Sequence, residues 1–224
     1  MEMAKLNRGL IVSCQAVKGE PLYGLGIMRH FARAAVLGGA VGIRTGYVNE
    51  INEIKQEVNV PVIGIIKQEY EGSDVYITPT LKEVKELLTT DCEVIALDCT
   101  RRSRPKETLE ELVAYIRKNA PEREIMADCD CMESAREAAR LGFDYIGTTM
   151  RGYTAATKGT AIPDYGFDAQ LVKEFPDVKI IAEGGIWETA QLEKVWSLGV
   201  YAVVIGSAIT RPMDITKRFA KVIK

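Results

Sequence analysis

The sequence predicts a single (β/α)8 barrel, and three observations support this prediction. The chain has 224 residues, close to the size of one such barrel, and 47% of them are hydrophobic, which allows a large core. Short runs rich in valine and isoleucine alternate with amphipathic segments from one end of the chain to the other. These runs lack period-2 alternation, as expected of parallel strands buried on both faces. No linker or low-complexity segment interrupts the pattern, so residues 1–224 are expected to form one TIM-barrel domain.

Eight apolar runs are the predicted strands, and most are followed by a segment with helical periodicity. The strands are expected at residues 9–16, 40–45, 61–67, 94–100, 124–130, 145–150, 179–185 and 202–208. Helices are expected at residues 26–38, 80–90, 108–119, 133–142, 168–175, 188–199 and 212–224. Thr80 with Glu83, and Thr108 with Glu111, have the spacing of a capping box at a helix N-terminus.

Eight parallel strands with crossover helices can close into a barrel, which leaves no strand edge unpaired. The alternative is an open, doubly wound sheet, which usually carries a glycine-rich turn after its first strand. The segment 13–22, SCQAVKGEPL, is not such a turn, so the closed barrel is favoured. Two connections, 68–79 and 151–166, are longer than usual, and both follow strands. Long loops at that end of a barrel often cover the functional site.

Composition excludes several other classes of protein. The net charge of −2 and the isoelectric point near 5.7 argue against a general nucleic-acid binder. The sequence contains neither an apolar run of roughly 18 residues nor a signal-peptide pattern, so we expect no membrane association. Five cysteines lie mostly in or beside predicted strands: Cys14, Cys92, Cys99, Cys129 and Cys131. This placement predicts reduced, buried thiols in a cytoplasmic protein.

Polar side chains end nearly every predicted strand. In a barrel, these positions and the loops that follow them form the functional face. They are Gln15, Arg44, Lys67, Asp98, Asp128, Thr148, Glu183 and Ser207. One charge at such a position can simply be leaving the core. A whole ring converging on one mouth instead predicts a binding or catalytic site.

Glycines follow the seventh and eighth strands. Gly184 and Gly185 come after strand 7, and Gly206 and Ser207 come after strand 8, with Arg211 just beyond. Glycine lets backbone N–H groups approach an anion closely, and a short helix after strand 8 would add its N-terminal dipole. Phosphate binds at this place in many barrels, so we predict a phosphate site here. Tight turns and a solvated helix start are the alternative explanations.

Lys67 ends an otherwise apolar strand, and Glu183 ends the strand across the barrel. A lysine held there, with its stem along the wall, can have a lowered pKa and act as a base or a Schiff-base amine. If Lys67 and Glu183 face one substrate, their titrations are coupled. A purely structural lysine–glutamate ion pair remains an alternative.

The residue types present argue against a metal or a nucleotide cofactor. The one histidine, His30, falls inside the first predicted helix, so a histidine-rich catalytic metal site is excluded. Asp98, Asp128 and Glu183 could hold Mg²⁺ in principle, but no close-spaced pair indicates it. Residues 129–131 lack a second pair of zinc ligands, and no GxGxxG motif is followed by an acidic ribose ligand. We therefore expect neither metal nor cofactor.

Seven motifs between residues 65 and 212 resemble those of one known family, and the similarity extends over roughly residues 8–214. They are IIKQEY at 65–70, YITPT at 76–80, ALDCTRRSRP at 96–105, MADCD at 126–130, GTTMRGYT at 147–154, IAEGGI at 181–186 and VIGSAITRP at 204–212. Together they resemble the N-acetylmannosamine-6-phosphate 2-epimerases. The resemblance implies a barrel enzyme of sialic acid and amino-sugar catabolism. It would interconvert N-acetylmannosamine 6-phosphate and N-acetylglucosamine 6-phosphate without a redox cofactor.

The resemblance also implies roles for individual residues. It implies catalytic residues at Lys67 and Glu183, substrate-binding residues at Gln15, Arg44 and Asp128, and a phosphate-side arginine at Arg211. Thr148 joins the substrate-binding candidates because it ends a strand. Where the family commonly has Asp-Ala-Thr, this chain has Cys99 in the middle, a modest enlargement. We favour Lys67 for proton transfer at C2 and Glu183 for ring opening, with the reverse and a two-base arrangement left open.

Three other functions stay open. Another phosphate-binding barrel isomerase is one, although a pentose-phosphate 3-epimerase would need metal-binding histidines. A sugar-phosphate sensor is the second, and it would tend to lose Lys67 or Glu183. A Schiff-base aldolase using Lys67 is the third. The C-terminal segment 212–224 mixes an apolar stripe with basic residues, so it could pack on its own barrel or on a partner in a homodimer.

Overall fold

The structure, a computed structural model, describes residues 4–223 and forms a closed barrel of eight parallel strands in chain order. The strands are β1 (Gly9–Ser13), β2 (Gly42–Gly46), β3 (Val62–Ile65), β4 (Val94–Asp98), β5 (Glu124–Asp128), β6 (Tyr145–Gly147), β7 (Lys179–Glu183) and β8 (Ala202–Ile205). β8 pairs with β1 and closes the barrel. The predicted (β/α)8 barrel is confirmed, and each strand lies inside its predicted run except that β2 extends to Gly46.

Helices surround the barrel and connect successive strands. They are α1 (Met28–Leu37), α2 (Val48–Glu57), α3 (Leu81–Leu87), α4 (Leu109–Asn119), α5 (Met132–Arg140), α6 (Tyr165–Glu174), α7 (Thr189–Ser197), α8 (Ser207–Thr210) and α9 (Pro212–Ala220). The short helix predicted after strand 8 is present as α8. No helix was expected from the sequence between the second and third strands. α2 occupies that segment, and Ile51 and Ile54 on one face are fully buried.

Both predicted capping boxes are present. The backbone N–H of Thr80 donates to Glu83 Oε2 at 2.9 Å, and that of Thr108 donates to Glu111 Oε2 at 2.8 Å. In return, the Thr108 hydroxyl accepts the backbone N–H of Glu111. Caps of this kind typically stabilise a helix by about 1 kcal/mol. They therefore fix where α3 and α4 begin after the loops of the barrel mouth.

Two apolar layers hold the barrel together. The first layer lies inside the barrel, where it fills the interior with buried side chains that include Ile11, Ile63, Val94 and Ile181. A second layer, between strands and helices, contains most of the remaining core. At the N-terminal end of the barrel, the Tyr201 hydroxyl donates to the backbone oxygen of Leu6, a residue that is almost fully buried. The interior is thus closed at that end, and the accessible mouth is at the C-terminal ends of the strands.

The two long connections are held against the mouth by side chains. Arg104 donates to the backbone oxygens of Thr78 and Pro79, and so fixes the 68–79 loop beside β4. In the 151–166 loop, the Thr154 hydroxyl donates to Asp130 Oδ2 at 2.7 Å. Across residues 4–223, we find no helix that is both long and apolar enough to cross a membrane. All five cysteines are free thiols, and only Cys131 is not buried.

Candidate active site

A cavity of about 440 Å³ lies at the C-terminal ends of the strands. It brings together most of the site residues predicted from the sequence, namely Gln15, Arg44, Lys67, Glu183, Gly184, Gly185, Gly206, Ser207 and Arg211. Two predicted residues, Asp128 and Thr148, do not line it. Both lie just behind its wall, where they contact residues that do.

Arg44 and Asp128 form a buried ion pair under the cavity floor. The Arg44 Nη2 atom donates to Asp128 Oδ2 at 2.6 Å, and Nη1 donates to Oδ1 at 3.1 Å. Their side chains are only 1% and 0% exposed. Burial alone would lower the pKa of Arg44, but the neighbouring Asp128 and Glu183 carboxyl groups raise it above its ordinary value. Asp128 therefore acts on the site through the guanidinium that it orients.

Lys67 lies two residues after the end of β3 and lines the cavity. Burial lowers the pKa of Lys67 to about 8, helped by the positive charges of Arg44 and Arg211 and opposed by Glu183 and Asp128. With that pKa, about one molecule in ten carries a neutral amine at pH 7. Lys67 can therefore accept a proton near neutral pH, as a general base must.

Glu183 ends β7 on the opposite side of the cavity, with its side chain 16% exposed. Burial raises the pKa of Glu183, and the nearby Asp128 carboxyl group adds to that effect, whereas Arg44 and Lys67 lower it; a hydrogen bond donated by Thr149 would lower it as well. Its Oε2 atom lies 3.5 Å from Arg44 Nη1. A lysine with a lowered pKa and a carboxyl group with a raised one form the pattern expected of an acid–base pair.

The two threonines after β6 have different environments. The Thr148 hydroxyl donates to the backbone oxygen of Glu183 at 3.1 Å and accepts the Glu183 backbone N–H at 2.9 Å. It therefore joins β6 to β7. Thr149, which the sequence analysis did not single out, lines the cavity and places its hydroxyl near both Asp128 and Glu183. Thr148 follows β6 directly, whereas Thr149 lies in the turn after it, so the two neighbouring side chains point in different directions.

The glycine pair after β7 is required by the backbone. Gly184 and Gly185 have φ angles of +120° and +73°, which disfavour other residues. A Cβ atom at Gly185 would lie 2.5 Å from the backbone carbon and oxygen of Ile162. Close approach of the 151–166 loop is therefore one reason for Gly185, in addition to any contact with an anion.

The second half of the predicted phosphate site surrounds the start of α8. No side chain caps this helix, so its first backbone N–H groups, at Ser207 and Ala208, have no side-chain partner there. Arg211 follows α8, and its Nη1 atom lies 3.1 Å from Oε1 of Glu20, which is in the loop after β1. Gln15, nearby, donates to the Ser13 hydroxyl at 2.9 Å. Together these groups form a polar edge to the cavity that could hold an anion.

Several apolar and aromatic residues that line the cavity were not predicted from the sequence. Tyr76 comes from the 68–79 loop, and Tyr153 and Ile162 come from the 151–166 loop. Trp187 follows the glycine pair. The unusual length of the two loops was the available signal. Which of their side chains reach the cavity depends on the fold of each loop.

Asp98 is held away from the cavity. It accepts hydrogen bonds from the hydroxyl of Thr100 at 2.6 Å and from Arg102 Nη2 at 2.6 Å. Within the part of the chain that the structure describes, no three histidine, cysteine, aspartate or glutamate side chains are grouped to hold a metal ion. The charged side chains that line the cavity are Arg44, Lys67, Glu183 and Arg211.

The fold and this cavity define a class: a (β/α)8 barrel with a charged, polar cavity at its C-terminal mouth. The family described as "Putative N-acetylmannosamine-6-phosphate epimerase" matches residues 28–224. The chain belongs to this family, and the resemblance inferred from the motifs is confirmed.

Individual relatives agree with this assignment. A protein of Staphylococcus carnosus (strain TM300), named a putative N-acetylmannosamine-6-phosphate 2-epimerase, is 54% identical over 221 residues, 98% of each chain. A Staphylococcus aureus (strain JH9) protein of the same name is 54% identical over 222 residues, 98% of this chain and 99% of its own. The solved N-acetylmannosamine-6-phosphate 2-epimerase from Clostridium perfringens is 47% identical, with a TM-score of 0.93 over 97% of this chain and 94% of its own.

Proposed function

We propose that this chain is an N-acetylmannosamine-6-phosphate 2-epimerase, which inverts C2 of the sugar to produce N-acetylglucosamine 6-phosphate in amino-sugar and sialic acid catabolism. Membership of the family supports this activity. The observation that carries the chemistry is the pairing of Lys67 and Glu183 at one cavity, with pKa values shifted in opposite directions. The proposed reaction needs an acid and a base and no redox cofactor.

The first proposed step is ring opening at Glu183. The hydrogen at C2 becomes acidic only when C1 is an aldehyde, so the ring must open before epimerisation. Protonated Glu183 donates its proton to the ring oxygen as the bond from C1 to that oxygen breaks. The resulting carboxylate then accepts the proton of the C1 hydroxyl as the aldehyde forms. The raised pKa of Glu183 suits a group that must begin as an acid.

The second proposed step is proton transfer at C2 by Lys67. The neutral amine removes the C2 proton, and the electron pair delocalises over C1 and C2 as an enolate. Arg44 is held at the cavity by Asp128 and supplies positive charge that stabilises this enolate. The Lys67 ammonium, or a second acid on the other side, then protonates the opposite face. Gln15 is proposed to contact the substrate directly. Thr148, predicted as a substrate-binding residue, lies behind the cavity wall, so its proposed contribution is to fix the Glu183 backbone.

The phosphate group is proposed to bind between the turn after β7 and the start of α8. The residues are Gly184, Gly185, Gly206, Ser207 and Arg211. Backbone N–H groups and the Arg211 guanidinium would hold it far from C2. Binding energy from this remote group keeps C2 in register while the open chain rearranges.

Hydrogen exchange at C2 tests the proposed chemistry. Epimerisation in D₂O should place deuterium at C2, so the H2 signal in the NMR spectrum disappears during turnover. Lys67→Ala should lower both epimerisation and exchange by on the order of 10³-fold or more, because a positioned acid–base group is lost. Lys158→Ala, in the exposed part of the 151–166 loop, is the control and should leave both rates unchanged. Turnover with full retention of the C2 hydrogen would exclude deprotonation.

We also propose that the protein works in the cytoplasm and forms a homodimer through α9. Free thiols at all five cysteines support a reducing compartment. No residue of α9 is buried, and Phe219 near its end is 72% exposed. Val222 and Ile223, just beyond the helix, are exposed as well. An apolar helix face of this kind is typical of a surface that another protein covers.

A further inference from the structure

Three oxygen atoms form a continuous chain beneath the cavity. The Thr149 Oγ1 atom lies 2.7 Å from Asp128 Oδ1 and 3.0 Å from Glu183 Oε2. Both distances are hydrogen-bond distances. Thr149 thus links the carboxyl group that ends β5 to the one that ends β7.

A threonine hydroxyl has one hydrogen, so it can donate to only one of these two carboxyl groups. Asp128 accepts one hydrogen bond from the Arg44 guanidinium on each of its two oxygens, which is the bidentate pairing that a carboxylate makes with arginine. It also makes the shorter contact with Thr149. The hydroxyl hydrogen therefore belongs to Asp128, and the contact with Glu183 needs a proton from Glu183 itself.

We propose that Thr149 is a positioning residue that holds Glu183 as a carboxylic acid in the free protein. Glu183 donates to the Thr149 hydroxyl, and that hydroxyl donates to Asp128. This inference rests on the role given to Glu183 under the proposed function, since it supplies the acid with which ring opening begins. It adds Thr149 to the residues needed for the reaction.

The charged groups around Glu183 agree with a neutral acid at that position. Arg44 from β2 faces it at 3.5 Å, but its charge is already matched by the bidentate contact with Asp128. Lys67, after β3, also lowers the pKa of Glu183, whereas the Asp128 carboxyl group at the end of β5 raises it. The neutral amine that the second step requires follows separately from the lowered pKa of Lys67. The threonine bridge therefore prepares the acid.

Infrared spectroscopy of the free protein tests the proposal directly. A protonated carboxyl group has a carbonyl stretch separate from the carboxylate bands, and the band that Glu183→Gln removes belongs to Glu183. We expect this band in the wild-type protein at neutral pH. Its absence would overturn the proposal.

The pH midpoint of that band then tests Thr149. An acceptor for the acid favours the protonated form, so Thr149→Val should lower the midpoint by about one pH unit, a tenfold change in proton affinity. Valine has a methyl group in place of the hydroxyl, and this apolar group by itself would raise the pKa of Glu183. A fall in the midpoint can therefore come only from loss of the hydroxyl. Thr149→Ser retains the hydroxyl and should restore the wild-type midpoint. An equal or higher midpoint in Thr149→Val would contradict the bridge.

Turnover gives a second readout. Thr149→Val should lower kcat on the order of tenfold, and Thr149→Ser should recover it. The spectroscopic test needs no substrate, so the two proposals fail separately. If no hydrogen exchange occurs at C2 but the Glu183 band is present, the proposed function fails and the proposal for Thr149 stands. If the band is missing but exchange occurs, the proposed epimerisation stands and another group supplies the proton for ring opening.

Discussion

The charges at the mouth act on one another because they are buried together. Arg44 is compensated by Asp128, so its guanidinium stays ionised despite being 1% exposed. Lys67 has no such close partner, and its pKa falls for lack of solvent and because Arg44 and Arg211 lie nearby. The same kind of residue, a cation at the mouth, therefore serves as a fixed charge in one case and as a titratable base in the other.

This difference predicts a pH dependence. The pKa of Lys67 is lowered to about 8, so its neutral form grows as pH rises. Over the range in which Glu183 stays protonated, kcat/KM should increase about tenfold per unit below pH 8. Arg211→Met removes a nearby positive charge. The pKa of Lys67 should then rise, and the midpoint of this limb should move to higher pH in a profile of kcat/KM. Arg33→Met, at an exposed position on α1, is the matched control and should leave the limb in place.

Arg211→Met also tests the proposed phosphate site. Inorganic phosphate should inhibit the wild-type protein competitively, and the inhibition should weaken roughly tenfold in the variant, because a charge-assisted hydrogen bond is lost. Unchanged inhibition would place the phosphate away from Arg211.

At the scale of elements, the β7–α7 turn and the 151–166 loop depend on each other. Gly185 is the contact point, and Ile162 of the loop also lines the cavity. The β7–α7 turn thus supports the part of the cavity wall that the 151–166 loop forms. The spacing of glycines in the sequence indicated an anion site but contained no sign of this packing.

Gly185→Ala should therefore destabilise the protein. It combines a positive φ with a Cβ atom 2.5 Å from the Ile162 backbone, and we expect a loss of roughly 2–4 kcal/mol in the free energy of unfolding. Gly159→Ala is the matched control, since Gly159 has a φ of +88° and no atom within 4 Å of the added Cβ. It should lose only about 1–2 kcal/mol. Equal losses in denaturant titrations would show that the Ile162 contact adds nothing.

At the scale of the whole molecule, α9 is the element least covered by its own barrel. We predict a dimer in sedimentation velocity, and Phe219→Asp should convert it to a monomer by placing a charge in the apolar face. Lys217→Ala, an exposed change on the same helix, should leave the dimer intact. A wild-type protein that sediments as a monomer would remove this proposal.

Most of the architecture was predictable because its signals are local. The eight strands appear as apolar runs, and the Thr80 and Thr108 caps are each contained in four consecutive residues. Even α2, which was missed, has its signal in the sequence, since Ile51 and Ile54 are spaced as on one helix face. The ring of polar strand ends and the paired glycines likewise follow from chain order, because a parallel barrel brings all strand C-termini to one mouth.

The sequence by itself therefore determined the barrel, its functional face, and the presence there of Lys67, Glu183 and Arg44. Only the tertiary structure decided how these groups combine. It placed Thr149, and not Thr148, at the cavity, and it set Asp128 behind Arg44 as a buried partner. The physical reason is that a side chain's direction, its burial and its hydrogen-bond partners depend on strands and loops far apart in the chain. The charge of a residue can be known from its sequence, but its protonation depends on what surrounds it.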